Sequence, residues 1–457
     1  MRLTPDGFPL AFAIALAVTT ACGDRQLDSK ANTNTAEEDD SSGGETEGTT
    51  QAEHVRLSAH LRQTCAVLNG SRLKCWGLNH NGRLGMGVIG PIGDDEHPSV
   101  LPGLTFPSAI VDVSFSGTNG CVLEVSGAVH CWGPNLDGVL GFPWDDEQIG
   151  DDETILDGPA LDLGDGVLHV ATGDMFTCVA YADGGVRCWG QSDRGQTGYG
   201  TTDTIDPLAN GIAIEDLPLV DVGAPVRSLS VGRNAICAIT QDGHVKCWGD
   251  DHFGTLGQGA KAPGENWNLG DDDVPADYPP IELPGAPVST VSIEFNIACA
   301  LHEDGAITCW GQESAGLGYG AAQDGIGIGY GDDESPLSLG HVDVGGPARA
   351  VAVGTNFACA LLQDGAVRCW GTSPAGQLGR GDFEVVGYPN PPAAYAPIDL
   401  GGPAVGLAVG SNHACAVLET GDLRCWGSGD TGVLGYASYD NVGDDETPAS
   451  MPAVKIE

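Results

Sequence analysis

The chain has 457 residues, with 63 Asp plus Glu against 19 Lys plus Arg, a formal charge of −44. That excess of acid repels phosphate over most of any surface and argues against nucleic acid as a partner. No apolar run reaches the ~18–20 residues a membrane-spanning helix needs.

Residues 1–21 read as an export signal: Arg2, an apolar stretch from Phe8 to Val18, then the small-residue junction Thr19-Thr20-Ala21 before Cys22. The arrangement resembles the bacterial lipoprotein signal, which implies a lipid on Cys22 as the first residue of the mature protein. An ordinary signal peptide cut nearby is the competing reading. Residues 22–53 are rich in Ser, Thr, Asn, Gly and acid, with Leu27 almost the sole large apolar side chain. Such a stretch buries too little to order itself and reads as a tether.

From residue 54 to 457 one unit recurs seven times as Cys-x9-Cys-Trp-Gly. The pairs are Cys65 with Cys75, Cys121 with Cys131, Cys178 with Cys188, Cys237 with Cys247, Cys299 with Cys309, Cys359 with Cys369 and Cys415 with Cys425, spaced 56 to 62 residues apart. Between each pair, apolar positions alternate around a turn such as Gln241-Asp242-Gly243, so the spacing predicts a hairpin with a left-handed Gly. Counting outward from the facing residues Thr240 and His244 makes Cys237 and Cys247 a non-hydrogen-bonded pair, with Cα atoms about 4.5 Å apart. A disulfide fits there. Two thiolates per hairpin cannot complete a tetrahedral zinc site, and reduced pairs are the remaining alternative. Of 15 cysteines, only Cys22 is left over.

Each repeat reads as short strands A (Arg349 to Val353), B (from Cys359), C (to Trp370) and, after a long loop, D (His341 to Val344 of the preceding repeat). Four short strands at a period near 58, seven times over, predict an all-β, seven-bladed β-propeller with one disulfide per blade. The short D–A link predicts that D shares a sheet with the A that follows, so that a first strand near 55–59 and a last strand at 453–456 close the ring. The Trp beside each second Cys points to the opposite face and is expected to pack between blades.

The A–B junctions Gly173 to Cys178, Gly232 to Cys237, Gly354 to Cys359 and Gly410 to Cys415, and the turns Gly82-Arg83-Leu84-Gly85, Gly138-Val139-Leu140-Gly141, Gly254-Thr255-Leu256-Gly257, Gly376-Gln377-Leu378-Gly379 and Gly432-Val433-Leu434-Gly435, carry a family resemblance. The head resembles the regulator of chromosome condensation repeat family of seven-bladed propellers. Members of that family do unrelated work on one scaffold, and one blocks a β-lactamase with a single face. The namesake's chromatin role conflicts with the charge, and exchange on a small GTPase conflicts with export.

An acidic loop recurs between C and D: Gly93-Asp94-Asp95-Glu96, Gly150-Asp151-Asp152-Glu153, Gly270-Asp271-Asp272-Asp273, Gly331-Asp332-Asp333-Glu334 and Gly443-Asp444-Asp445-Glu446. Repeats three and six have Thr202-Asp203 and Gly381-Asp382-Phe383 in its stead. Three readings stand: carboxylates shaping a turn, a Ca²⁺ site using the paired aspartates, or a surface for a basic partner. No catalytic motif is found, and the eleven histidines occupy different repeat positions. The expectation is a non-catalytic, monomeric protein-binding module, lipid-anchored at a bacterial outer membrane or cell surface and engaging an envelope or extracellular protein. The alternatives are a secreted enzyme inhibitor, or an enzyme with carboxylates on the central channel. Phe142, Trp144, Trp267, Tyr278 and Tyr319 are the candidate contact aromatics.

Overall fold

The turn residues set each hairpin. Gly243 takes φ +84, Gly243 N–H donates to Thr240 O (2.9 Å) and Thr240 N–H to His244 O (2.9 Å). That register brings Cys237 opposite Cys247, with Cα atoms 4.1 Å apart and the sulfurs bonded. The other six hairpins repeat the arrangement. Cys65 is bonded to Cys75, Cys121 to Cys131 and Cys178 to Cys188, with Cα atoms 4.0–4.1 Å apart. Cys299 is bonded to Cys309, Cys359 to Cys369 and Cys415 to Cys425 at the same separation. The Cα atoms thus sit somewhat closer than the ~4.5 Å expected for a non-hydrogen-bonded pair. The pairing itself is the one expected, and zinc ligation and reduced pairs both fall away for these fourteen cysteines.

These coordinates come from a computed structural model, which describes residues 55–457 apart from 143–147, 259–267, 313–316 and 321–334. The signal segment, Cys22, the tether, Trp144, Trp267, Asp332 and Asp333 lie outside the described residues.

The Gly of each Trp-Gly is there for want of space. Gly77 has φ +105, and a Cβ on it would lie 2.4 Å from the Arg62 carbonyl oxygen. Its counterparts Gly133, Gly190, Gly249, Gly311 and Gly427 meet the same carbonyl of their own A–B turn at 2.3–2.4 Å. Strand C can therefore run against that turn only where no side chain intervenes.

Each of the seven sheets is antiparallel, with A, B and C in chain order. The A strands are Val55–His60, Ile110–Phe115, Val167–Gly173, Val226–Val231, Val288–Ile293, Ala348–Val353 and Ala404–Val409. Each packs on the next, and the last packs on the first, which closes a seven-bladed propeller. Strand D is reduced. Leu104–Thr105 pairs with strand C of blade 1, whereas other blades show single backbone bonds such as Val220 N–H to Val186 O, 2.9 Å. Pro and Gly flank these segments, as in Pro218 and Gly223, and interrupt a longer ladder.

The expected phase of the blades is overturned. Val342 N–H donates to Ile307 O (2.8 Å) and Val454 N–H to Leu423 O (2.9 Å), so D belongs with the C that precedes it. The link from Val342 to Ala348 is short in sequence but, extended, spans about 20 Å, enough to cross a blade to the next inner edge. Closure is therefore made by packing and hydrogen bonds between blades 7 and 1. Ser99 N–H donates to Lys455 O (3.0 Å) and the Lys74 ammonium to Ile456 O (2.7 Å). Ser411 N–H donates to Leu61 O (3.1 Å).

Two outcomes are expected. Non-reducing peptide mapping recovers Cys237–Cys247 and its six equivalents, each contributing at most roughly 2.5 kcal/mol in the chain-entropy account; a dominant linkage across blades contradicts this. Deleting residues 452–457 removes buried Val454 and Ile456 with the bonds to Ser99 and Lys74, and lowers stability by about 3 kcal/mol or more. An unchanged unfolding midpoint would show that the seam does not depend on this segment.

Candidate functional site

The seven repeat tryptophans are at most 1% exposed. Six of them donate the indole N–H to a backbone carbonyl inside the Gly-x-Leu-Gly turn, or its variant, of the preceding blade: Trp76 to Val433, Trp132 to Arg83, Trp189 to Val139, Trp248 to Gln196, Trp310 to Thr255 and Trp426 to Gln377, all at 2.8–3.0 Å. The acidic loop sits on that same turn. A Cβ on Gly150 would lie 2.5 Å from Gly82 O and 2.6 Å from Gly85 Cα, and Gly443 and Gly270 stand in the same relation to Gly376 and Gly195. Gly87 N–H donates to Gly150 O (3.2 Å), Gly200 N–H to Gly270 O (3.1 Å) and Gly381 N–H to Gly443 O (3.0 Å).

Within the loop, carboxylates serve the turn. Gly150 N–H donates to Glu153 (3.1 Å), Gly270 N–H to Asp273 (2.7 Å), Asp272 N–H to Asp271 (3.0 Å) and Asp445 N–H to Asp444 (3.1 Å). Tyr439 donates to Asp94 (2.6 Å), and Tyr278 donates to Asp273. Four of the described loops each bring three carboxylate oxygens within 4.8 Å. Burial and the neighbouring aspartates push Glu96 and Glu446 up to about 7. An ion taken up by these loops would compete with the turn bonds and with a proton on the third carboxylate.

The backbone also corrects the alignment of the two repeats without the motif. Ile205 and Val386 bridge Gly190 and Gly371, as Ile92 and Val442 bridge Gly77 and Gly427. The equivalents of the acidic loop are therefore Asp206-Pro207 in blade 3 and Gly387-Tyr388-Pro389-Asn390 in blade 6, a few residues beyond the expected Thr202-Asp203 and Gly381-Asp382-Phe383. Loop-length differences ahead of the bridge hide this in the sequence.

The contact aromatics expected in the connecting loops divide. Phe142 is 3% exposed and belongs to the core, a correction. Tyr319 is also structural: its hydroxyl accepts from Cys309 N–H (2.9 Å) and donates to Cys309 O (3.0 Å). Tyr436 does the same at Cys425, and Tyr199 accepts from Cys188 N–H while donating to Pro218 O. These hydroxyls cap the outer edge of strand C where D is too short to pair, and burial pushes Tyr199 and Tyr436 up to about 12. The recurring Gly-Tyr after the Leu-Gly turn was the available signal. Among the described residues, the exposed rim aromatics are Phe383, Tyr388 and Tyr439, at 60%, 46% and 57%.

The A strands of all seven blades line a central cavity of about 250 Å³. Its polar groups mostly serve the next blade: Thr172 N–H donates to Ser114 Oγ (2.9 Å), Val353 N–H to Ser292 Oγ (3.1 Å) and Val170 N–H to Asp112 Oδ2 (3.2 Å). His169 Nδ1 lies 3.4 Å from Asp112. At the end nearest the A–B turns, His60 of blade 1 reaches Glu294 of blade 5 at 3.0 Å, and Glu294 accepts from Ser411 of blade 7 at 3.3 Å. Burial pulls the His60 imidazole down, but the charges of Glu294 and Asp174 outweigh it and the net displacement is upward. Beside it His413, fully buried and 2.9 Å from the Thr64 hydroxyl, is driven down to about 3 by burial.

A family model described as the RCC1-like domain matches residues 72–456. The chain belongs to the RCC1-like domain family. Its sequence is 26% identical over 381 residues to the ultraviolet-B receptor UVR8 of Arabidopsis thaliana, covering 83% of this chain and 78% of that one. It is 29% identical over 251 residues, 54% of this chain, to the human E3 ubiquitin-protein ligase HERC2, of which the match spans only 5%. The fold matches Prp20p of Saccharomyces cerevisiae, whose crystal structure was reported with its binding to Gsp1p and histones. The TM-score is 0.60 at 19% identity, over 86% of this chain and 87% of that one.

The two histidines give opposite pH signs. Neutral His413 contributes stability that is whole above pH 6.5 and is lost as pH falls toward about 3, because the unfolded chain takes up a proton the fold refuses. His60, raised, contributes stability present below 6.5 and lost as pH rises through its folded value. His413→Gln is expected to flatten the acid limb of a plot of unfolding midpoint against pH; an unaltered limb would exclude His413 as its source.

Proposed function

We propose that the chain is a non-catalytic, protein-binding propeller held at a bacterial cell envelope through a lipid on Cys22. The observation that carries the binding part is the rim, where the side chains of Phe383, Tyr388 and Tyr439 stand exposed among carboxylates. Large aromatics with one polar end are what protein interfaces favour. In the channel, Asp112, Ser114 and Ser292 hold backbone groups of the next blade, and Glu294 holds His60 and Ser411. That family relatives such as Prp20p bind proteins supports the same reading. The anchoring part rests on the sequence around Cys22 and the acidic stretch that follows, which would hold the head away from the bilayer. The alternative, a secreted inhibitor, would lack the anchor and use the same exposed rim against an enzyme.

Detergent phase partitioning tests the anchor: wild type goes to the detergent phase, and Cys22→Ser goes to the aqueous phase or accumulates unprocessed. Unchanged partitioning and processing in that variant would refute the lipid at Cys22. Cross-linking of the soluble head in envelope extract tests the binding part, with saturable capture expected and none contradicting it.

A further inference from the structure

Among the described residues, the loop at the motif position of blade 6 carries several exposed apolar side chains. In blade 6 the motif position is Gly387-Tyr388-Pro389-Asn390. Its backbone still makes the seam contact, with Gly320 N–H donating to Gly387 O at 2.9 Å. Ahead of it, within the same loop, Phe383 is 60% and Val385 42% exposed, and Tyr388 is 46% exposed. Three large apolar side chains thus stand exposed within six consecutive residues, close enough in sequence to act as one surface. Blade 3, the other copy without the motif, keeps an acid there in Asp206.

The surroundings of the patch are anionic. Gly381, two positions before Phe383, lies against the backbone of Glu446 of blade 7, 3.5 Å from where its Cβ would be, which brings the acidic loop 444–446 to the start of this loop. Asp382 and Glu384 lie within the loop itself. The nearest cation, Arg380, is already shared by those two carboxylates at 3.5 Å each and stacks over Tyr395 at 4.8 Å. Its guanidinium therefore offsets local charge without offering a free positive group.

We propose that this patch on blade 6 is a docking site for a protein segment that carries apolar side chains beside lysines or arginines. The apolar side chain would cover Phe383, Val385 and Tyr388, and the cations would face Asp382, Glu384 and Asp445. A second copy of this chain is disfavoured, because it brings −44 of like charge. Anionic lipid and nucleic acid are repelled for the same reason. The proposal rests on the protein-binding reading and names the surface and the chemistry of the partner.

Fluorescence anisotropy of the full head with short synthetic peptides tests it. A Lys/Leu peptide is expected to bind more tightly than a Lys/Ser peptide of equal charge, and a Glu/Leu peptide not to bind. Phe383→Ser combined with Tyr388→Ser should weaken the Lys/Leu peptide about tenfold. Asp445→Lys should weaken it as well, and Asp95→Lys, at the equivalent place on blade 1, should leave it unchanged. Equal losses from Asp95→Lys and Asp445→Lys with none from the double serine variant would reduce the effect to diffuse charge and overturn the site. So would equal binding of the Lys/Leu and Lys/Ser peptides. Because the substituted side chains are exposed, an unchanged unfolding midpoint is expected; Val385→Ser alone serves if the double variant fails to fold. Envelope cross-linking separates the two levels: capture by wild type and double variant alike would sustain protein binding and remove blade 6 from it, whereas capture by neither would remove the function itself.

Discussion

Everything in this molecule depends on how one blade meets the next. A single turn, Gly-x-Leu-Gly, receives the indole N–H of the following blade's tryptophan on one carbonyl and the glycine of the following blade's acidic loop against its backbone. Both contacts need bare backbone, since a built Cβ on Gly82 would already stand 2.6 Å from Asp151 N. The tryptophan is buried at the seam, and its one polar atom is satisfied there. The sheets themselves are narrow, with three full strands and a vestigial fourth. One such sheet cannot bury its apolar faces by itself, and stacking into a closed ring supplies the missing burial.

The disulfides act on a different scale. Each joins neighbours in one hairpin, ten positions apart in sequence, and none ties two blades together. They hold the B–C register, on which a one-residue slip would turn every Cys and Trp to the wrong face. The tyrosine hydroxyls at Cys188, Cys309 and Cys425 finish the same strand from outside, standing in for hydrogen bonds that a longer fourth strand would have made.

The hairpins, the cysteine pairing and the number of blades were legible because they follow from local spacing: the period, the turn glycine and the alternation fix them together. Cys75, Cys131 and Cys369 each lie ten positions after their partner, as the count outward from the turn requires. The phase of the blades was not legible. A link of five residues between Val342 and Ala348 reads the same in sequence whether it turns back or runs extended, and only the hydrogen bonds of Val342 and Ala348 decide which. The acidic loops were visible as a motif, but their service to the turn was not, because it depends on where backbone N–H groups point. Phe142 and Tyr319 lay outside the repeat consensus and so looked free; burial and two hydrogen bonds at Cys309 account for them. Phe383 and Tyr388 were hidden by an alignment made on residue letters instead of on the bridge between Val386 and Gly371.

Because strand D stays with the repeat that precedes it, each blade is one uninterrupted stretch of chain. The boundary of the duplicated sequence unit and the boundary of the folded unit then coincide. A gene that gains or loses a repeat gains or loses a whole blade, with its staple, its tryptophan and both halves of a seam. No blade is assembled from two distant stretches, so no D–A link is privileged over the others. The same circle of blades is open to being cut at another such link and rejoined elsewhere. The individuality of the molecule rests in departures from the repeat such as blade 6.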